Sequence, residues 1–109
     1  MHQPSGVERR KCPRYPCAGT CDVWTGGVKV FSNCRVSDIG LGGCYVEMIS
    51  PLPAGEKATL DVTIGEFAFR VDAIVRATHI SLGMGLQFLG GAAEARKTLE
   101  ALIQHLAGG

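Results

Sequence analysis

A chain of 109 residues, of which 46% are hydrophobic, has the size and apolar content of one folded domain. Its formal net charge is only +1, which argues against a protein that holds long nucleic acids, because such proteins carry a marked basic excess. The sequence contains no run of about 20 apolar residues, which is the length that a membrane-spanning helix needs. The first residues are polar and basic and do not resemble a secretion signal. We therefore expect a cytoplasmic protein that does not insert into membranes.

The first 16 residues are predicted to form a basic arm ahead of the folded body. Three prolines disfavour a helix there, so the arm is expected to be extended or turned, and mobile without a ligand. Its cations are Arg9, Arg10, Lys11 and Arg14. A local basic segment on a nearly neutral body suits a compact anionic partner better than a long polyanion.

Residues 17–109 are predicted to form a single domain of short strands followed by a helix. Alternating apolar and polar residues, separated by turns rich in glycine and proline, predict strands at residues 23–24, 28–34, 44–48, 60–64, 67–77 and 83–88. The alternation changes phase near Ile74 and Val75, which predicts a bulge or a bend. Many short strands with regular turns favour a β-sandwich or a closed β-barrel.

The last part of the chain has a helical pattern instead. Leu99, Leu102, Ile103 and Leu106 recur at helical spacing and predict a helix over about residues 92–106, which the two terminal glycines end. Its apolar stripe is expected to cover an open mouth or an edge of the barrel.

Neither the cysteines nor the histidines form a pattern typical of catalysis. The five cysteines are odd in number and include no C-x-x-C pair, so we expect no metal centre and no cofactor. Cys34 and Cys44 are interpreted as small buried apolar residues. The three histidines are widely spaced and are predicted to be structural or exposed, which makes an enzyme the least favoured class. Large aromatic residues are interpreted as core or sheet packing rather than base-stacking platforms; they are Trp24, Tyr45, Phe67 and Phe69.

Two short motifs carry the functional information. Arg10 and Arg14 form an R-x-x-x-R element before the first strand. The later stretch from Asp38 to Gly43 reads D-I-G-L-G-G and opens another strand. In order and separation these motifs resemble the PilZ domain family, whose members have R-x-x-x-R followed by [D/N]-x-S-x-x-G. The resemblance spans roughly residues 9–88, and it departs from the family pattern where Gly40 occupies the serine position.

The resemblance implies a fold and a ligand. It implies a small bacterial antiparallel β-barrel of about six strands with a C-terminal helix, which binds cyclic di-GMP as a ligand. An arginine fork can pair with a guanine edge or clamp a phosphate, an aspartate can accept from guanine N–H groups, and glycines can adopt left-handed angles and approach a ligand closely. The implied ligand-binding residues are Arg10, Arg14, Asp38, Gly40 and Gly43, with electrostatic help from Arg9.

The favoured function is a receptor or adaptor that changes conformation on binding cyclic di-GMP and signals to a partner protein in trans, as a monomer or a weak dimer. The absent serine hydroxyl would cost about 0.5–1.5 kcal/mol of ligand binding. This departure supports an alternative, a degenerate PilZ-like protein-interaction module that does not bind the nucleotide. A small nucleic-acid-binding barrel is a third hypothesis, although no DNA or RNA partner is expected.

Overall fold

Six antiparallel strands closed into a barrel, with one C-terminal helix, make up the computed structural model, which describes residues 12–108. The elements are β1 (Arg14–Thr25), β2 (Val28–Gly40), β3 (Gly43–Glu47), β4 (Lys57–Ile64), β5 (Phe67–His79), β6 (Gly83–Phe88) and α1 (Ala93–Gly108). The predicted fold class, an antiparallel six-stranded barrel with a C-terminal helix, is confirmed. β1 begins at Arg14, so the last three residues of the predicted arm belong to a strand.

The strands follow the order β1-β2-β3-β6-β5-β4 around the barrel, and β4 pairs with β1 to close it. Tight turns join β1 to β2 and β4 to β5. The first turn consists of Gly26 and Gly27, whose φ angles of 56° and 82° fit a two-residue hairpin turn that disfavours side chains. Closure removes the sheet edges that an open sheet of this length would expose.

The core lies inside the barrel, where alternate residues of every strand point inward. The alternating apolar residues of β3 and β4 are buried: Cys44, Val46, Leu60, Val62 and Ile64. On β5 the inward alternation continues through Val75, and the irregularity predicted near Ile74 and Val75 follows directly after it. There the register against β6 shifts between Val75 and Ala77. The largest fully buried side chains include Ile39, Leu60, Met84, Leu86 and Leu102.

Helix α1 packs mainly against β5 and also touches β1. Leu99 and Leu102 are its buried residues, whereas Ile103 and Leu106 of the predicted stripe are partly buried. The helix begins one residue later and ends two residues later than its sequence pattern predicts. Within the described residues no helix is long and apolar enough to cross a membrane.

Candidate ligand-binding site

The two sequence motifs meet at one end of the barrel, because β1 begins where β2 ends and β3 begins. Arg14, the first residue of β1, is the register partner of Gly40, the last residue of β2. Asp38 is the partner of Pro16, two residues further along β1. Residues two apart on a strand share a face. Arg14 and Asp38 are therefore diagonal neighbours, although 24 positions separate them in the sequence.

An ion pair joins these two residues on the outer surface. Arg14 Nη1 donates a hydrogen bond to Asp38 Oδ1 over 2.5 Å, which uses one of the five guanidinium N–H donors. The side chains are 28% and 37% exposed, so a ligand can reach both groups. The pair combines a planar donor with a carboxylate acceptor, and these are the groups that the resemblance assigns to guanine and phosphate recognition.

Asp38 faces outward because β2 carries a bulge immediately before it. Val36 and Ile39 are both completely buried although they are three residues apart, which regular alternation does not allow. Ser37 is the extra residue: Val36 pairs with Val46 of β3, and Asp38 pairs with the adjacent Tyr45. In a regular strand Asp38 would share the inward face of Val36, so the bulge re-aims this carboxylate toward solvent.

Two glycines of the second motif, Gly40 and Gly43, allow neighbouring backbone segments to pack closely against them. A Cβ atom on Gly40 would overlap the carbonyl oxygen of Pro13, and one on Gly43 would overlap the carbonyl oxygen of Leu86 in β6. A Cβ on Gly42 would meet only the side chain of Cys12, with Sγ at an ordinary 3.7 Å. The expectation of left-handed angles here is wrong, because the positive-φ glycines of residues 12–108 lie elsewhere in the chain.

Arg9 and Arg10, the two remaining predicted ligand-binding residues, lie outside the described residues. The structure therefore brings together Arg14, Asp38, Gly40 and Gly43, which represent both motifs. Their assignment to a ligand remains a prediction.

The cysteines around this end of the barrel are shielded thiols. Burial raises the pKa of Cys17, and the negative charge of Asp38 adds to the effect. Burial also raises the pKa of Cys21 to about 12 and that of Cys44 well above its ordinary value. Cys34 was predicted to be buried but is half-exposed, because it lies where β2 has passed the end of β3. Among residues 12–108, no group of three or more His, Cys, Asp or Glu side chains could hold a metal ion.

Two neighbouring features were not predicted from the sequence. Tyr45, the register partner of Asp38, lies on the outer surface and shares a hydrogen bond with His79. A pocket of about 300 Å³ lies between the β2–β3 turn and helix α1, with Leu41 and Leu99 among its apolar lining residues and Arg96 also contributing. The alternation of Cys44 and Val46 could have indicated that Tyr45 faces outward, whereas its contact with β5 needed the barrel.

The described residues form a closed six-stranded β-barrel whose interior is filled by the apolar core, and the arginine–aspartate pair and the glycine turn lie on its outer surface. The chain belongs to the PilZ domain family, whose model matches residues 8–105. Domains of this family are receptor and adaptor modules. The resemblance deduced from the two motifs is thus confirmed.

Solved structures support this assignment at the level of the fold. The PilZ domain of YcgR from Escherichia coli, determined with c-di-GMP, has a TM-score of 0.74 and 18% identity, with 92% of each chain covered. The longer structure of YcgR from Escherichia coli in complex with c-di-GMP has a TM-score of 0.73 and 21% identity over 92% of this chain. The Bacillus subtilis inhibitor of motility (MotI/DgrA) has a TM-score of 0.71 and 19% identity, also over 92% of this chain.

This chain spans 46% of the longer YcgR structure and 50% of MotI/DgrA, so those proteins contain about as much again outside the shared domain. In the two YcgR structures c-di-GMP is a bound ligand and not a cofactor. No curated protein sequence matched the chain.

Proposed function

We propose that this protein is a cyclic di-GMP receptor that changes conformation on binding and signals to a partner protein in trans. The observation that carries the proposal is the meeting of Arg14 and Asp38 on one exposed surface beside the glycine turn of a PilZ domain. The guanidinium suits a phosphate or the O6/N7 edge of guanine, and the carboxylate suits the guanine N1–H and N2–H groups. In this proposal Arg10 also binds the ligand, and the positive charge of Arg9 attracts it.

The ion pair between Arg14 and Asp38 is compatible with this function. Ion pairs between partly exposed groups contribute only about 0–1 kcal/mol, because solvent screens the charges. A ligand that offers phosphate to Arg14 and N–H donors to Asp38 replaces the pair with two charge-assisted contacts. The ion pair therefore holds both groups in position at little cost to ligand binding.

The position of the first motif at the start of β1 suggests how ligand binding could produce a signal. Residues 13 and 14 contact the end of β2, so a ligand bound to Arg14 and to the more N-terminal arginines would draw the arm onto this surface. The arm and ligand together would form a new surface for a partner protein, and ligand affinity would drive the population shift. A cytoplasmic location is part of the proposal, since a second messenger acts there.

A second candidate function has a specific observation in its favour. Gly40 replaces the family serine, and Pro13 occupies the space that a side chain at this position would need. A PilZ-like interaction module that has lost the nucleotide would have this feature, and it would recognise its protein partner with or without cyclic di-GMP.

Calorimetric titration of cyclic di-GMP separates the two candidates. We expect saturable binding by the intact protein, and a loss of at least about tenfold in affinity for Arg14→Ala and for Asp38→Ala, because each removes a charge-assisted hydrogen bond. The matched control is Arg35→Ala, which removes an arginine from β2, the strand of Asp38, and breaks its 3.6 Å ion pair with Glu47.

Arg35→Ala should leave the affinity within about twofold of the wild-type value, since an exposed charge of this kind contributes little. Absence of binding by the intact protein at millimolar ligand would favour the interaction module. Equal losses in all three variants would indicate unspecific attraction to positive charge.

A further inference from the structure

Tyr45 lies on the outer surface of the barrel directly beside Asp38. Its neighbours in β3, Cys44 and Val46, are completely buried, so the side chain between them points outward. Tyr45 is also the register partner of Asp38, and side chains of directly opposed residues are about 5 Å apart at their Cβ atoms. The outer surface that carries the Arg14–Asp38 pair therefore continues onto β3.

The next strand, β6, provides a flat floor for the Tyr45 ring. Gly83 and Gly85 lie on β6 beside Tyr45, and Gly85 is its register partner. A Cβ atom on Gly83 would lie 2.8 Å from Tyr45 Cε2, and one on Gly85 would lie 3.8 Å from Tyr45 Cδ1. The ring thus occupies the space that a side chain at position 83 would need and lies within van der Waals contact of position 85, with its other side turned away from the sheet.

His79 of β5 extends this aromatic surface. The Tyr45 hydroxyl and His79 Nδ1 form a hydrogen bond of 2.9 Å, the ring centroids are 5.9 Å apart, and the ring planes are inclined by 29°. At this separation the two rings are stacked with a lateral offset, so neither ring fully covers the other. His79 is exposed and Tyr45 is half-buried.

We infer that Tyr45 and His79 form an aromatic platform on which a purine base of the ligand held by Arg14 and Asp38 stacks. The inference rests on the proposed function and deepens it, since it assigns a second part of the ligand to two further residues. Purines stack on aromatic rings through their π faces, and a ring held by a hydrogen bond and a glycine floor is already ordered for that contact.

The dimensions fit a dinucleotide. Asp38 and His79 are on strands separated by three strand spacings, which is about 14 Å of surface. A single nucleotide held by the Arg14–Asp38 pair would leave part of this surface free, whereas a cyclic dinucleotide has a second base to place there. The platform would therefore favour the dinucleotide over a mononucleotide such as GMP.

Substitution of Tyr45 tests the platform. We expect Tyr45→Leu to weaken cyclic di-GMP binding roughly 5- to 100-fold, the effect of removing one aromatic ring that stacks on a base. Tyr45→Phe keeps the ring and should retain most of the affinity. The matched control is Trp24→Leu, which removes another outer-surface aromatic residue, on β1 at the opposite end of the barrel, with folding of each variant checked by its melting temperature.

A second measurement needs no substitution. On saturation with cyclic di-GMP, the ring-proton NMR signals of His79 should move upfield because a stacked base shields them, whereas those of His105 on α1 should not move. The platform would be overturned, and the receptor function left intact, if the wild type bound cyclic di-GMP, Tyr45→Leu bound it with the same affinity, and the His79 signals did not move. Absence of wild-type binding would instead overturn both.

Discussion

Gly40 has a structural role that its position in the motif does not reveal. The sequence suggests only the loss of a serine hydroxyl, but the structure has the Pro13 carbonyl group packed where a side chain would begin. Any larger residue must push Pro13 away, and Arg14 is the next residue in the chain. Position 40 therefore influences the site through the backbone that carries Arg14, in addition to any direct ligand contact.

Substitutions at two glycines of the motif test this role. We expect Gly40→Ala to lower the free energy of unfolding by about 1–3 kcal/mol, because the methyl group overlaps a backbone atom. Gly42→Ala should change it by less than about 0.5 kcal/mol, since its Cβ meets Cys12 Sγ at an ordinary distance of 3.7 Å. Urea unfolding of both variants makes the measurement, and equal destabilisation by the two substitutions would contradict this explanation.

Ser37 and Asp38 illustrate where sequence reasoning fails at the residue scale. The sequence identifies Asp38 as a site residue from its place in the motif, and the structure has it beside Arg14. Its outward orientation depends on the bulge at Ser37, which is defined by the pairing of β2 with β3. A bulge has no reliable local pattern, so the orientation could not be read from the chain alone.

At the scale of elements, three strands are tied together by a network on the outer surface away from the motif. Asp61 of β4 accepts two hydrogen bonds from Arg70 of β5, at 2.7 and 2.9 Å, and a third from Trp24 Nε1 of β1 at 2.9 Å. Arg70 and Lys29 also lie 5.5 and 5.4 Å from the centre of the Trp24 ring. The network links β1, β4 and β5, where the barrel closes.

This network predicts a pH dependence. The hydrogen bonds from Arg70, and secondarily from Trp24, hold the pKa of Asp61 below its ordinary value of 3.8. A lowered folded-state pKa gives stability that is complete above the unfolded value and is lost as the pH falls through the folded value. We therefore expect Asp61→Asn to melt at a lower temperature than the wild type at pH 6, and the difference to shrink below about pH 4.

Melting curves between pH 2 and pH 7 provide the measurement. The control is Glu66→Gln in the exposed β4–β5 turn, whose difference in melting temperature from the wild type should not shrink comparably as the pH falls. A difference between wild type and Asp61→Asn that stays constant down to pH 2 would mean that the charge of Asp61 does not contribute to stability.

The strands and the helix differ in how well the sequence predicts them. Period-two alternation located β3, β4 and β6 within a few residues, because these strands bury one side and expose the other. Helix α1 was equally clear from Leu99 and Leu102. The long strands β1 and β2 were only partly recognised, since their register shifts interrupt the alternation that identifies a strand.

At the scale of the whole molecule, the barrel brings together groups that the sequence keeps far apart. The motif pairing predicted that Arg14 and Asp38 belong to one site, and the antiparallel pairing of β1 and β2 accounts for it. No such signal linked Tyr45 to His79, because their contact depends on β6 lying between β3 and β5. The sequence therefore predicted the charged half of the candidate surface but not its aromatic half.

The most direct test of the central claim is an amide NMR titration of the protein with cyclic di-GMP. We predict saturable shifts of the Asp38–Gly43 signals, with little change at the Gly26–Gly27 turn and on β4 around Asp61, because the ligand contacts the outer surface that carries Arg14 and Asp38 and not these two regions. No shifts at millimolar ligand, or shifts centred on the Trp24–Arg70 network, would contradict the claim.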